Sequence, residues 1–261
     1  RDVLGSRGLG DVYKRQIGDK AMTYIFLIAG KGNRLQPLTL KMPKSMYKLD
    51  KDTTVLERMI ALIEEKDENA HFVVVVGFMA DEIKKRLADK RNITFIVNPF
   101  YGITNSIASL WFARDYMDEE VTIINGDIVM EKKLVHDVVC ATADRPYVLV
   151  DQSIKNNGDY NVQVLEKSVL VMSKNLDEYF GEYAGVTKLD KQSALKVKNQ
   201  IEKMVGMEMY DQWYENALVQ MIFDDDFNLE FEDISDYKWT EIDCVDDMLL
   251  AKQIHSKENE R

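Results

Sequence analysis

The stretch LIAGKGNRLQPLTLKMPKSM, residues Leu27 to Met46, places two glycines, two prolines, one arginine and three lysines directly after an apolar run. Glycines carry no side chain, so the backbone N–H groups around Gly30 and Gly32 can close on phosphate oxygens. Arg34 adds a fork of charged donors matched to phosphate. Pro37 and Pro43 stiffen the run that delivers Lys44, a compact point charge for a second phosphate group. Two common phosphate loops are excluded by spacing. Leu35 stands where a dinucleotide fingerprint needs its third glycine, and no Gly-Lys-Ser/Thr closes the stretch as a Walker A loop requires. What remains, G-x-G-x-R, then P-L-T, then P-K, reads as a cradle for a triphosphate.

Such a loop needs a scaffold. TYIFLIA reads as a buried strand, TVLERMIALIEEK as an amphipathic helix and HFVVVVGF as a second buried strand. ADEIKKRLADK follows as a helix, NITFIVN as a strand, NSIASLWFARDYM as a helix and EVTIINGD as a strand. This alternation predicts an α/β protein, with a mostly parallel sheet covered on both faces in three α/β/α layers. After Asp127, PYVLVD, YNVQVLEKSVLVMS and YFGEYAGVTKLD read as strands in hairpins. Helices are expected over Ser193–Val205 and Tyr210–Phe223, then a strand YKWTEID and a closing helix from Val245. Ligands of open α/β sheets sit at the carboxyl ends of the strands, where the glycine loop leaves the first of them.

Gly30-Lys31-Gly32-Asn33-Arg34-Leu35-Gln36-Pro37-Leu38-Thr39 with Pro43-Lys44 resembles the signature of nucleotidyltransferases that join an NTP to a phosphorylated small molecule and release pyrophosphate. VNPFYGITNSIASLW, INGD, WYENAL and WTEIDCVDD follow in the order seen in the bacterial choline-phosphate and aminoethylphosphonate cytidylyltransferase branch. Ile28 stands where many members have Ala. The resemblance implies a Rossmann-like fold with a hairpin and helical elaboration around the acceptor, CTP or another NTP as donor, and Mg2+ as cofactor. Ala29, Gly30, Lys31, Gly32 and Asn33 would line the nucleotide. Arg34 and Lys31 would neutralise the departing phosphates, and Lys44 would hold the acceptor phosphate or the α-phosphate. Asp127 and Asp243, each ending a strand, match the metal aspartates, and hard oxygen ligands suit magnesium.

Asn105 and Ser106 lie where the branch reads the nucleobase, although Asn105 is equally well placed to cap the following helix. A quaternary or primary ammonium on the acceptor calls for aromatic faces and carboxylates, and Trp213, Tyr214, Tyr183, Tyr160, Glu182 and Glu215 are the candidates. On a helix only one of Trp213 and Tyr214 can point squarely into a pocket, and Trp213 is the expected one. Choline-specific members tend to carry a Trp in the segment matching Asp151–Tyr160. This sequence has none, which raises a primary amine or another small phosphorylated acceptor, with Asp151 or Asp159 available to pair with an ammonium. A sugar 1-phosphate nucleotidyltransferase would instead favour neutral hydrogen-bonding groups, and a non-catalytic homologue would be expected to have lost Arg34, Lys44 or Asp127.

Composition narrows the rest. A net charge of −11 over 261 residues argues against general nucleic-acid binding, which needs an extended basic surface. Cys140 and Cys244 are the two cysteines, and His71, His136 and His255 lie without metal-ligand spacing, so neither a disulfide scaffold nor a zinc site is suggested. The runs Tyr24–Ala29 and Phe72–Gly77 are too short to span a bilayer. A cytoplasmic protein without a membrane anchor is expected. Residues 1–21 show no periodicity and resemble an adapter read-through peptide, with Met22 a plausible start. A single domain over residues 22–256 and a polar tail over 257–261 complete the expected organisation. Asp224–Asp226 reads as a solvated turn, and Asp246 and Asp247 as the opening of the last helix.

Overall fold

The computed structural model describes residues 22–32, 41–154 and 160–259. The calls on residues 1–21, Asn33, Arg34 and Asp159 lie outside them.

Strand β1 (Thr23–Leu27) is followed by α1 (Val55–Lys66), β2 (His71–Val76), α2 (Ala80–Arg86), β3 (Ile93–Val97), α3 (Ser106–Phe112) and β4 (Val121–Asn125). This part is the alternation expected. β2 reads HFVVVV and is buried along its whole length, as a strand covered on both faces must be. α1 starts where Thr54 and Glu57 form a reciprocal capping box. Successive side chains of β1 point to opposite faces. Tyr24 and Phe26 join a core with Leu56, Ile60 and Ile63 of α1, whereas Ile25 joins a second core with Ile107 and Leu110 of α3.

Next come β5 (Ile128–Met130), a helical turn Lys132–Leu134 running into a π-helix Val135–Val139, β6 (Tyr147–Asp151), β7 (Asn161–Leu165), β8 (Ser168–Ser173) and β9 (Gly181–Leu189). α4 (Lys191–Gly206), α5 (Glu215–Asp224), β10 (Glu230–Asp233), β11 (Trp239–Glu241) and α6 (Val245–Asn259) complete the described chain. The large sheet runs β3-β2-β1-β4-β9-β6-β10-β8-β7. Its β3-β2-β1-β4 half is parallel, while β9 pairs antiparallel with both β4 and β6, so the sheet is mixed beyond the first half. β7 and β8 form the expected hairpin. β5 and β11 leave the large sheet to form a ribbon of their own.

Three boundaries differ from the sequence reading. α4 begins at Lys191 because Asp190 caps it, accepting from the N–H groups of Gln192 and Ser193. α5 begins at Glu215 instead of Tyr210, because the segment before it serves another helix: the Tyr210 and Gln212 carbonyls accept from the Asn105 and Ile107 N–H groups at the start of α3. α6 continues to Asn259, so residues 257–259 of the expected polar tail are helical. Glu258 pairs with the buried Arg58 guanidinium. Among the described residues no helix is long and apolar enough to cross a membrane.

Candidate active site

The glycine loop leaves β1 at its carboxyl end, pinned by Ile28 N–H to the Val75 carbonyl (3.0 Å) and Phe78 N–H to the Ala29 carbonyl (3.0 Å). Gly32 sits at φ +63°, in the left-handed region that favours glycine. Ile28 is buried against Gly126, where an added Cβ would lie 1.8 Å from Ile28 Cγ2. Gly126→Ala is therefore expected to lower stability by about 1–3 kcal/mol. Ile28→Ala in the same chain should recover most of that loss, as thermal unfolding of the single and double variants would show; additive losses would refute the contact.

Lys44 opens a 3-10 turn, Lys44–Met46, just after Pro43. Its ammonium lies 3.1 Å from Asp127 Oδ2 and also donates to Asp243 Oδ1, with only 11% of the side chain exposed. Burial works against its charge, but attraction to Asp127 and the hydrogen bond to Asp243 win and hold the ammonium above its ordinary range. The two aspartates come from distant stretches. Asp127 lies in the turn between β4 and β5. Asp243 is delivered by β11, which pairs antiparallel with β5 so that Glu241 faces Ile128, and the Ile242 N–H donates to the Asp127 carbonyl. The Asp247 carboxylate accepts from the Asp243 and Cys244 N–H groups, fixing the approach to α6.

Sequence reading missed Glu241. Its carboxylate offers an oxygen within 4.8 Å of those of Asp127 and Asp243. The signal was available, because residues two apart in an extended run share a face. Three carboxylates converging on one point are hard oxygen donors of the type magnesium prefers, so the residues present fit that ion.

Two recesses meet at Gly30 and Asp127. The smaller, about 120 Å3, lies between the glycine loop, Lys44, Ser45 and Gly126. Ser45 lines it, its Oγ buried and with no hydrogen-bond partner among the described residues. The larger, about 210 Å3, runs past Asn105 and Ser106 to Tyr160, Tyr183, Trp213 and Glu215. Lys31 Nζ stands 5.7 Å from the centroid of the Tyr101 ring, which lines this cleft. Asn105 caps α3 by accepting from the Ser106 N–H (2.8 Å), and Ser106 Oγ accepts from the Tyr214 N–H (2.9 Å). Both residues line the cleft while holding its wall. Asn98 and Asn125 also line it; both fall within segments that carry the resemblance, VNPFYG and INGD, but the sequence reading gave neither a role.

The acceptor candidates separate. Trp213 and Glu215 line the cleft. Tyr214 does not: it is fully buried, its hydroxyl bonded to those of Tyr183 and Thr187. The helical argument for choosing between the aromatics fails, because Trp213 and Tyr214 precede α5; of the two, Trp213 is the one that lines the cleft. Its π face carries a resident cation, with Lys174 Nζ 3.9 Å from the ring centroid, so a ligand ammonium meets a surface already in use. Tyr183 lines the cleft and its neighbour Glu182 does not. Asp151 is committed elsewhere, accepting from the Trp239 indole N–H (2.8 Å) and the Ser153 hydroxyl. Glu215 is the exception among the acids. It is buried, with Oε2 lacking a hydrogen-bond partner among the described residues. Burial pushes its carboxyl up to about 7, against the pull of its hydrogen bond with Asn125 and the attraction of Lys174.

A family model described as Nucleotidyl transferase matches residues 23–160. The chain is 27% identical over 205 residues to the bifunctional protein GlmU of Methanocaldococcus jannaschii, covering 77% of this chain and 47% of that one. It thus spans about half the length of that relative. It is 24% identical over 243 residues to the choline-phosphate cytidylyltransferase of Streptococcus pneumoniae, covering 91% of this chain and all of the relative. Among solved structures, the CTP:phosphocholine cytidylyltransferase from Streptococcus pneumoniae superimposes with a TM-score of 0.74 at 21% identity, over 90% of this chain and all of that one.

Proposed function

We propose, since the chain belongs to the nucleotidyl transferase family, that it transfers a cytidylyl group from CTP to a small phosphorylated or phosphonylated acceptor bearing an amine. The observation that carries this reading is the convergence of Lys44, Asp127, Glu241 and Asp243 at the point where the glycine-loop recess opens into the larger cleft. CTP is favoured by likeness to a choline-phosphate cytidylyltransferase along its whole length.

In this reading an oxygen of the acceptor phosphate or phosphonate attacks the α-phosphorus in line. One P–O bond forms, the bond from the α-phosphorus to the bridging oxygen breaks, and its electrons leave with pyrophosphate. No protein nucleophile is required, so positioning and charge neutralisation supply the rate. Backbone N–H groups around Gly30 and Gly32 and the Ser45 hydroxyl would bind phosphate oxygens, and Lys44 would neutralise charge. Arg34 would add a second cation. Asp127, Glu241 and Asp243 would hold a magnesium ion, which supplies further neutralisation when bound. Asn105 and Ser106 would face the nucleobase. Glu215, with Tyr160 and Tyr183 beside it, would receive the acceptor amine as a carboxylate in an aromatic recess.

Pyrophosphate release across the four NTPs, against phosphocholine, phosphoethanolamine, 2-aminoethylphosphonate and a sugar 1-phosphate, tests the proposal. CTP with an amine acceptor should give the highest kcat/KM. Turnover confined to a sugar 1-phosphate would reassign the chain to that class, which the buried Glu215 carboxyl disfavours. No release from any pair would leave a nucleotide-binding homologue without activity, a reading opposed by the presence of Arg34, Lys44 and Asp127.

A further inference from the structure

The Lys44 ammonium sits against two of the three carboxylates of a site that fits a divalent cation. It contacts Asp127 Oδ2 at 3.1 Å and Asp243 Oδ1, and those two carboxylates with Glu241 form the converging trio. An ammonium and a metal ion drawn to the same carboxylate oxygens compete, and their like charges repel at this range. The lysine also has a second place to go. It lines the glycine-loop recess together with Gly30, Gly32 and Ser45, and the buried Ser45 hydroxyl has no partner among the described residues. An anion entering that recess would give both groups an acceptor.

The backbone need not move for the exchange. Pro43 holds φ −67° and ψ 152°, and the turn is closed by Met46 N–H to the Pro43 carbonyl (2.9 Å) and Tyr47 N–H to the Lys44 carbonyl (3.0 Å). Ser45 and Met46 are buried and anchor it. The side chain of Lys44, four methylenes on a fixed Cα, is the moving part.

We infer that Lys44 is a built-in counter-ion of the acidic trio, exchanged for a divalent cation when a triphosphate draws the lysine into the glycine-loop recess. The inference rests on the reading of Asp127, Glu241 and Asp243 as a cation site. It makes binding of cation and nucleotide mutually dependent through one side chain, in addition to any direct contact between ion and phosphate. Without nucleotide, the lysine keeps three converging carboxylates partly neutralised and the cation weakly held. With nucleotide, it leaves them to the ion.

Mn2+ binding to the nucleotide-free protein, followed by the electron paramagnetic resonance of free Mn2+, tests this without relying on activity. Lys44→Met and Lys44→Gln should each bind Mn2+ about tenfold tighter or more than the unsubstituted chain. Equal affinities would overturn the counter-ion role. Adding Asp127→Asn to Lys44→Met should abolish the gain. If the gain survives, the ion sits elsewhere and the cation-site reading itself fails, a different result from equal affinities. Should both Lys44 variants fail to fold, a crystal of the unsubstituted protein soaked in Mn2+ together with CTP decides. An anomalous peak among the three carboxylates, with Lys44 Nζ withdrawn from Asp127 and Asp243, supports the exchange. The same peak with both contacts intact overturns it, as does a soaked crystal with no peak among the carboxylates.

Discussion

Asp127→Asn is expected to leave a folded protein whose pyrophosphate release falls by about a hundredfold or more. Asp127 is shared by the two recesses, it contacts Lys44 and it belongs to the acidic trio. Asn keeps the shape and one acceptor oxygen and removes the charge. The backbone contact that docks β11 is unaffected, because the Ile242 N–H donates to the Asp127 carbonyl and not to its side chain. Thermal unfolding should therefore move little while turnover collapses. Near-normal turnover would remove Asp127 from the chemistry. Equal loss of stability and activity would make it a residue of the turn.

Glu215→Gln is expected to act in opposite directions on binding and on stability. A carboxylate receiving an ammonium in a buried recess contributes a charge-assisted contact, so its loss should raise the acceptor KM by about tenfold or more and leave the KM for CTP nearly unchanged. The pH dependence has a definite sign. The folded carboxyl is raised to about 7 from an ordinary value of 4.5, so the folded chain holds a proton that the unfolded chain has released between those values. Stability is then highest below about pH 4.5, declines as pH rises towards 7, and stays lower above it by a few kcal/mol at most. The Gln variant is free of that cost. Its melting temperature should exceed that of the unsubstituted chain at pH 8, with the difference closing towards pH 4.5, while the improvement in acceptor KM as pH rises through 7 should disappear. A variant that loses stability at pH 8 without change in acceptor KM would show Glu215 to be a structural acid.

Glu215 illustrates a general contrast along this chain. The sequence marks it only as one acid next to two aromatics, and an acid after Trp-Tyr is more often a surface charge. Its surroundings are assembled from remote parts of the chain, with Asn125 at the end of β4 hydrogen-bonded to it, and Tyr160 and, from β9, Tyr183 lining the same cleft. Tyr214 looked equally suited to a pocket and is instead spent on the Tyr183–Thr187 hydroxyl cluster. Local pattern could not separate them, because the segment before α5 is shaped by carbonyls committed to the start of α3 and not by its own periodicity.

By itself the sequence determined the loop and its place. Glycines at 30 and 32, the prolines and Lys44 are conformational and electrostatic facts that hold wherever the chain goes, and a buried strand directly before them sets the loop at a sheet edge. It determined the β-α alternation through β4 as well, since burial on both faces writes itself as unbroken apolar runs such as HFVVVV. The tertiary structure alone decided which acids meet. Asp127, Glu241 and Asp243 are joined by the β5–β11 register, a pairing between segments remote in the chain, and short strands advertise a face but not a partner. It also decided that Lys44, legible as a phosphate cation, rests between two of those acids, because a flexible ammonium goes to the nearest converging negative charge that the fold assembles.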